Sequence, residues 1–213
     1  MALFLSGPLL LHSQTAATLA VSSHMDPYRA GGYDDGSDGI PPAVHSFVAG
    51  SAQFLTFPSV KGTWTCASAV ATFGPDGLAG FGTCGGSLTI GDPGGPFSQL
   101  FLTDFGCPLV GMFLEDTLPS TPASPLRFYL SDSSQGGIPI RFRVLPLLIG
   151  QVFFIGDGLT GTDIGNVQVF GVPPTATHLY LGFVDSCGGG VPGCYSDNEG
   201  RLVATFVLHP SSQ

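Results

Sequence analysis

Charge is what this chain has least of. Only 10% of its 213 residues are charged, where a globular domain usually carries about a quarter. Lysine occurs once, at Lys61, and glutamate twice, at Glu115 and Glu199, against thirteen aspartates. Two of the strongest helix formers are therefore nearly missing, which argues against a helical fold. No basic patch exists to neutralise phosphates, so nucleic-acid binding is excluded as a working class. The net charge of −9 disfavours anionic membrane surfaces for the same reason. No uninterrupted apolar run reaches the roughly 18 residues that a membrane-crossing helix needs. Catalytic signatures are missing as well. The chain has no GxSxG or HExxH, and its histidines are scattered. The stretch Gly156-Asp-Gly-Leu-Thr-Gly-Thr162 lacks the lysine of a phosphate loop. None of the five cysteines has CxxC metal-site spacing. Carboxylate pairs for glycoside hydrolysis leave no sequence signature, but with so few glutamates a non-enzyme is expected.

What the chain does have is glycine (32), proline (18) and phenylalanine (17). That mixture gives strands, tight turns and a sizeable aromatic core. Short apolar segments recur between turn signals: Thr18–Ser22, Val44–Phe57, Ser59–Cys66, Leu109–Leu114, Leu126–Leu130, Gln151–Ile155, Val167–Val172, Leu179–Val184 and Leu202–Leu208. In Ile140-Arg-Phe-Arg-Val-Leu145 apolar and basic residues alternate, the period of a strand with one wet face. Many short strands at this spacing predict an all-β, antiparallel, jelly-roll-like β-sandwich. Residues 18–209 read as one domain. Residues 1–17 read as an apolar N-terminal segment, either a signal remnant without a basic start or an arm in an assembly.

Cysteines fall at 66, 84, 107, 187 and 194. Disulfides in an exported protein are the expected use. Cys187–Cys194 would close a short loop and add about 2–3 kcal/mol on the chain-entropy argument. Cys66–Cys84 is the second pairing expected, which leaves Cys107 as a buried free thiol. With the low lysine content and the apolar start, these pairs favour a secreted or cell-surface location.

The segment of greatest interest is Asp185-Ser-Cys-Gly-Gly-Gly-Val-Pro-Gly-Cys-Tyr-Ser-Asp-Asn-Glu-Gly200. It lies between the strands 178–184 and 201–208. Across an antiparallel pair such strand ends meet, so Asp185, Asp197 and Asn198 can converge with glycine-bared carbonyls. Oxygen donors of this mixture suit a hard cation such as calcium. The same residues can also form a turn in which Asp and Asn cap their own backbone. Asp34, Asp35 and Asp38 are a second acidic stretch, read as a solvated turn or a second cation site. Trp64, Phe81 and Tyr195 could provide a flat aromatic platform for a sugar, although a sandwich tryptophan more often sits in the core.

Pro192-Gly-Cys-Tyr-Ser-Asp-Asn-Glu-Gly-Arg-Leu202, preceded by Val172-Pro-Pro-Thr-Ala-Thr-His-Leu-Tyr-Leu-Gly-Phe-Val-Asp185, resembles the terminal signature of the LecA (PA-I type) galactose-binding lectins. Leu126-Arg-Phe-Tyr-Leu-Ser-Asp132 and Ile149–Thr162 look like a longer exported bacterial form. The resemblance implies a galactose-binding-domain-like sandwich with one calcium ion at its tip. Asp185, Asp197 and Asn198 would be side-chain ligands, Cys194 would give its carbonyl, and Cys66, after Gly62-Thr-Trp-Thr, would give another. Vicinal hydroxyls of a galactose-like or other diol-bearing glycan would complete the shell, beside Tyr195. Two departures stand out. Ser186–Val191 lengthens the ligand loop, and the family's sugar-contacting His and Gln loop has no counterpart after Gly74-Pro-Asp-Gly77. The expected function is calcium-dependent carbohydrate binding without catalysis. The alternative is a subunit of a surface layer or filament, a homo-oligomer in which calcium only stiffens the fold.

Overall fold

A computed structural model of the chain describes residues 14–67, 72–79, 88–130 and 137–210. In chain order its strands are β1 (Thr15–Ser22), β2 (Ala43–Ser46), β3 (Phe54–Thr65), β4 (Leu78–Ala79), β5 (Leu88–Ile90), β6 (Leu100–Thr103), β7 (Phe105–Gly106), β8 (Leu109–Leu114) and β9 (Leu126–Tyr129). They continue with β10 (Ile138–Pro139), β11 (Val144–Leu145), β12 (Phe153–Phe154), β13 (Leu159–Gly161), β14 (Ile164–Val167), β15 (Val169–Gly171), β16 (His178–Phe183) and β17 (Glu199–His209). Among the described residues helical turns are confined to Pro27–Gly32 and Tyr195–Asp197. The expected all-β class is therefore the observed one. None of these helices is long and apolar enough to cross a membrane.

Two sheets carry the site. One runs β1-β17-β3-β15-β11 and the other β12-β8-β16-β2. In β17 the residues Leu202, Ala204, Phe206 and Leu208 are buried, while Val203 between them is 41% exposed. That two-residue period turns one face of the strand inward. Rings from the two sheets meet across the core. Trp64 on β3 lies 4.0 Å from Phe183 on β16, Phe170 on β15 lies 5.4 Å from Phe153 on β12, and Phe206 on β17 packs edge-on against His45 on β2. A third sheet, β10-β9-β6-β5, packs at the side through Phe128 and Phe154.

Local chemistry explains the irregularities. Pro58 cannot donate to a ladder, and the β3–β17 register shifts between Thr205 and Val207, leaving Phe57 and Pro58 opposite Phe206 alone. At the far end of the same pair, a Cβ on Gly62 would collide with the Arg201 carbonyl, and one on Gly200 with the Thr63 carbonyl. Both glycines have positive φ, +123° and +100°, so the close approach of β3 and β17 beside the tip requires glycine.

The 140–145 segment corrects a sequence expectation. Its alternation is not that of one strand: Phe142 N–H donates to the Pro139 carbonyl in a turn, and only Val144–Leu145 pairs, with β15 and in parallel. Pro139 and Pro146 bracket it, and neither can donate to a ladder. The buried Gln168 amide supplies what a neighbouring strand would have, donating to the Ile140 and Phe142 carbonyls at 2.7 and 2.9 Å. Val144, expected inside, is 60% exposed. The β6–β9 and β9–β10 pairs are also parallel, a departure from the purely antiparallel expectation. The first strand begins at Thr15, inside the 1–17 segment, and pairs along its whole length with β17. Residues 1–13 lie outside the described residues.

Candidate functional site

β16 and β17 belong to different sheets, and the chain between them crosses one end of the sandwich. β16 ends at Phe183; Val184 is buried, and Asp185 follows with 2% of its surface exposed. β17 begins at Glu199, paired with Thr65 of β3. Asn198, one residue earlier, is also 2% exposed, and Cys66 sits one residue beyond Thr65. The crossing loop is held by the Cys187–Cys194 disulfide, by the Gly193 N–H donating to the Asp185 carbonyl at 3.2 Å, and by a turn at Tyr195–Asp197.

Asp185 Oδ1 accepts the Ser186 N–H at 2.7 Å. Its Oδ2 is buried and has no hydrogen-bond partner. Asn198 Nδ2 donates to the Ser23 carbonyl at 3.1 Å, while Asn198 Oδ1 is also buried and unpartnered. The Asn198 carbonyl accepts from His24 Nε2 at 2.8 Å. Burial pushes the Asp185 carboxyl from its usual 3.8 up to about 7. The Ser186 N–H opposes that rise, whereas the Asp197 and Asp38 carboxylates add to it. The nearby charges acting on Asp185 are thus negative, and two oxygens beside them lack donors. A buried oxygen without a donor costs about 1–3 kcal/mol, more when charged. A bound proton or a bound cation would each relieve that cost.

The expected site residues do not all arrive together. Asp185 and Asn198 do. Asp197 is exposed, close enough to raise the Asp185 pKa. Cys194 adopts a left-handed conformation, φ +66°, and its carbonyl accepts the Asp197 N–H at 3.4 Å. Cys66 is disulfide-bonded; Cys84, its expected partner, lies outside the described residues, as does Phe81. Cys107 is a buried free thiol, as expected, and burial with the nearby Asp185 charge pushes its pKa up.

Tyr195 is a correction. Its side chain is fully buried and its hydroxyl donates to the Phe183 carbonyl at 3.1 Å. It ties the loop to the end of β16 and offers a ligand no surface. Trp64 is likewise fully buried and packed on Phe183 and Phe73, so no aromatic platform forms at the tip from these two.

The acidic 34–38 stretch does not gather round a common point. Asp34 pairs with Arg29 at 3.1 Å and caps Gly36 N–H, and Asp35 caps Ser37 N–H. Asp38 reaches across to the tip and accepts both the Tyr195 N–H at 3.0 Å and the Ser196 N–H at 2.9 Å. Partial burial works against ionisation of Asp38, but the Ser196 hydroxyl and these two N–H groups outweigh it and hold its pKa below the usual value. This clamp was invisible in the sequence, where 157 residues separate the partners.

No family model, curated protein or solved structure matches the chain. The tip must therefore be judged on its own chemistry. Among the described residues no three His, Cys, Asp or Glu side chains gather into a metal-binding group. A cation at this position would depend on the Asp185 carboxylate, the Asn198 amide oxygen and backbone carbonyls. That donor set is one calcium accepts and a zinc or copper site does not use. The two unpartnered oxygens make the residues present a fit for calcium.

Proposed function

We propose that this chain is a non-catalytic, calcium-dependent carbohydrate-binding protein of the secreted or cell-surface class. The observation that carries the reading is the pair of buried oxygens without donors, Asp185 Oδ2 and Asn198 Oδ1, just after β16 and just before β17. Asp185 and Asn198 would hold the cation, with Asp197 and the carbonyls of Cys194 and Cys66 as further donors. The resemblance of residues 172–202 to the LecA-type signature supports this assignment and its sugar partner.

Calcium, when bound, supplies coordination positions that two adjacent sugar hydroxyls can fill. The chain's own residues do the rest. Asp38 fixes the Tyr195–Asp197 turn through two N–H groups, so that Asn198 and Asp197 leave that turn in a set direction. Tyr195 anchors the same turn to β16. The Cys187–Cys194 bridge restrains the loop that holds the inserted 186–191 segment, which would otherwise add freedom to lose on binding. Asp197, which is exposed, would meet a ligand hydroxyl at the rim.

The test is a neutral-glycan array read in millimolar calcium and again with excess EDTA. The reading predicts a glycan signal that EDTA removes and that Asp197→Ala weakens. If calcium raises the melting temperature but no glycan signal is EDTA-sensitive, the ion is structural and the carbohydrate assignment falls.

A further inference from the structure

A second place on the molecule has the features of a sugar site without a metal. Along β16, Leu179 and Leu181 point into the core and are fully buried. His178 and Tyr180 alternate with them onto the opposite face, where both are half-buried. Their rings lie 5.9 Å apart with planes only 29° from parallel. The Pro27–Gly32 segment covers that outer face over β8 and over part of β16, where Pro27 lies against Gly182 and where Leu118 and Leu114 pack on Gly31. The cover stops short of β2, the edge strand, whose Val44 pairs with Tyr180 and is 45% exposed. Between cover and edge is a groove of about 440 Å³, within the range of small-ligand sites.

The groove's rim is polar. The exposed Asp116 carboxylate accepts the Thr177 hydroxyl at 2.7 Å and lies 3.6 Å from His178 Nδ1. Glu115 stands beside it. Arg29 also lines the groove. Its Nη1 donates to the Ser37 and Gly39 carbonyls and its Nη2 pairs with Asp34. Its Nε is buried and has no acceptor.

We infer that this groove between the Pro27–Gly32 segment and β2 binds a neutral pyranose through the His178–Tyr180 strip, independently of calcium. A pyranose has one face of C–H groups and a rim of hydroxyls. The C–H face can lie against one of these rings, whose flat apolar surface carries little conformational entropy to lose. The hydroxyl rim meets two carboxylate acceptors at Glu115 and Asp116. The same carboxylates repel anionic sugars and phosphorylated ligands. An apolar peptide would strand those carboxylates against its side chains.

The probes are methyl β-galactoside, methyl β-glucoside, methyl α-mannoside and N-acetylglucosamine, each titrated in EDTA while backbone amide shifts are recorded. At least one is expected to give saturable shifts confined to residues 42–46, 115–118 and 178–180, with residues 185–198 unmoved. Tyr180→Ala and His178→Ala should each weaken that binding by about tenfold, the scale of one lost ring contact. Tyr180 contributes to packing, so Asp116→Ala, at an exposed carboxylate, provides a variant that keeps the fold and should also weaken binding. The inference is overturned if no probe gives saturable shifts, if the shifts fall elsewhere, or if Asp116→Ala and His178→Ala leave the affinity unchanged. It is also overturned if the same residues shift with protein concentration alone, which would make β2 a contact between copies. Because EDTA is present throughout, success or failure here is separate from that of the tip.

Discussion

The loops at 156–163 and 185–198 are made of the same material: glycines, aspartates and hydroxyl residues between short strands. Each contains a buried aspartate whose pKa is raised by burial and by neighbouring carboxylates. In the first loop both oxygens of the buried carboxylate, Asp157, have donors. Asp157 Oδ1 accepts the Leu159 N–H at 2.8 Å and Oδ2 the Asp163 N–H at 2.6 Å. Asp76 accepts the Asp157 N–H at 2.9 Å and the Thr162 hydroxyl at 2.6 Å. In the second loop Asp185 Oδ2 and Asn198 Oδ1 have none. The first is a turn that satisfies itself with backbone; the second is a turn with two oxygens left over. Residue composition does not separate the two cases, whereas a complete account of donors and acceptors does.

The comparison breaks most clearly on a pair of substitutions. Asp185→Asn should abolish the stabilisation by calcium. At a hundred times Kd that stabilisation is about 2.7 kcal/mol, or roughly 5–10 °C in Tm for a domain of this size. The variant in EDTA should melt no lower than wild type, since a neutral amide replaces a poorly solvated carboxylate. Asp157→Ala should do the opposite. It should leave the calcium shift intact and lower stability in EDTA by about 1–3 kcal/mol, because two N–H groups lose their acceptor. Equal calcium shifts in wild type and Asp185→Asn would break the distinction.

A smaller effect follows from pH. Asp185 and Asp26 have folded-state pKa values of about 7 against 3.8 for the free side chain, burial being the main cause in both. The folded state therefore holds these protons more tightly than the unfolded chain. Their contribution favours folding at low pH, declines as pH rises from about 4 to 7, and is gone above that. In EDTA the protein should melt several degrees lower at pH 8 than at pH 5. Calcium should recover part of the difference at pH 8, the part due to Asp185. A Tm that climbs across this window in EDTA would count against the buried state of both carboxyls. Smaller still, Asp38→Ala should reduce the calcium shift by about 1 kcal/mol, since it frees the Tyr195–Asp197 turn without removing a ligand.

How much of this was legible beforehand differs by element. β8, β16 and β17 could be read because their apolar runs lie between clear turn signals; Asp185 and Asn198 do lie at the ends of β16 and β17, but these strands belong to different sheets and do not form the antiparallel pair expected of them. The 140–145 segment misled because a turn bracketed by prolines and satisfied by Gln168 shows the same alternation as a strand. β6, with Leu100 and Leu102 buried, was passed over because Phe101 between them is apolar too, which hides the two-residue period. Tyr195 could be read as a loop aromatic, but whether it faces ligand or core depends on the Phe183 carbonyl, which no local pattern reveals. The Asp38 clamp depends on a contact between distant parts of the chain and left no local trace at all.

The most direct test is thermal unfolding at pH 8 with calcium titrated into EDTA-treated protein, with magnesium in parallel. The account predicts a Tm that rises with calcium and saturates, with a much weaker response to magnesium, whose small octahedral shell this loose mixture of carboxylate, amide and carbonyl oxygens fits poorly. A Tm indifferent to millimolar calcium would contradict it, and would leave Asp185 as a buried carboxyl that takes up a proton instead of an ion.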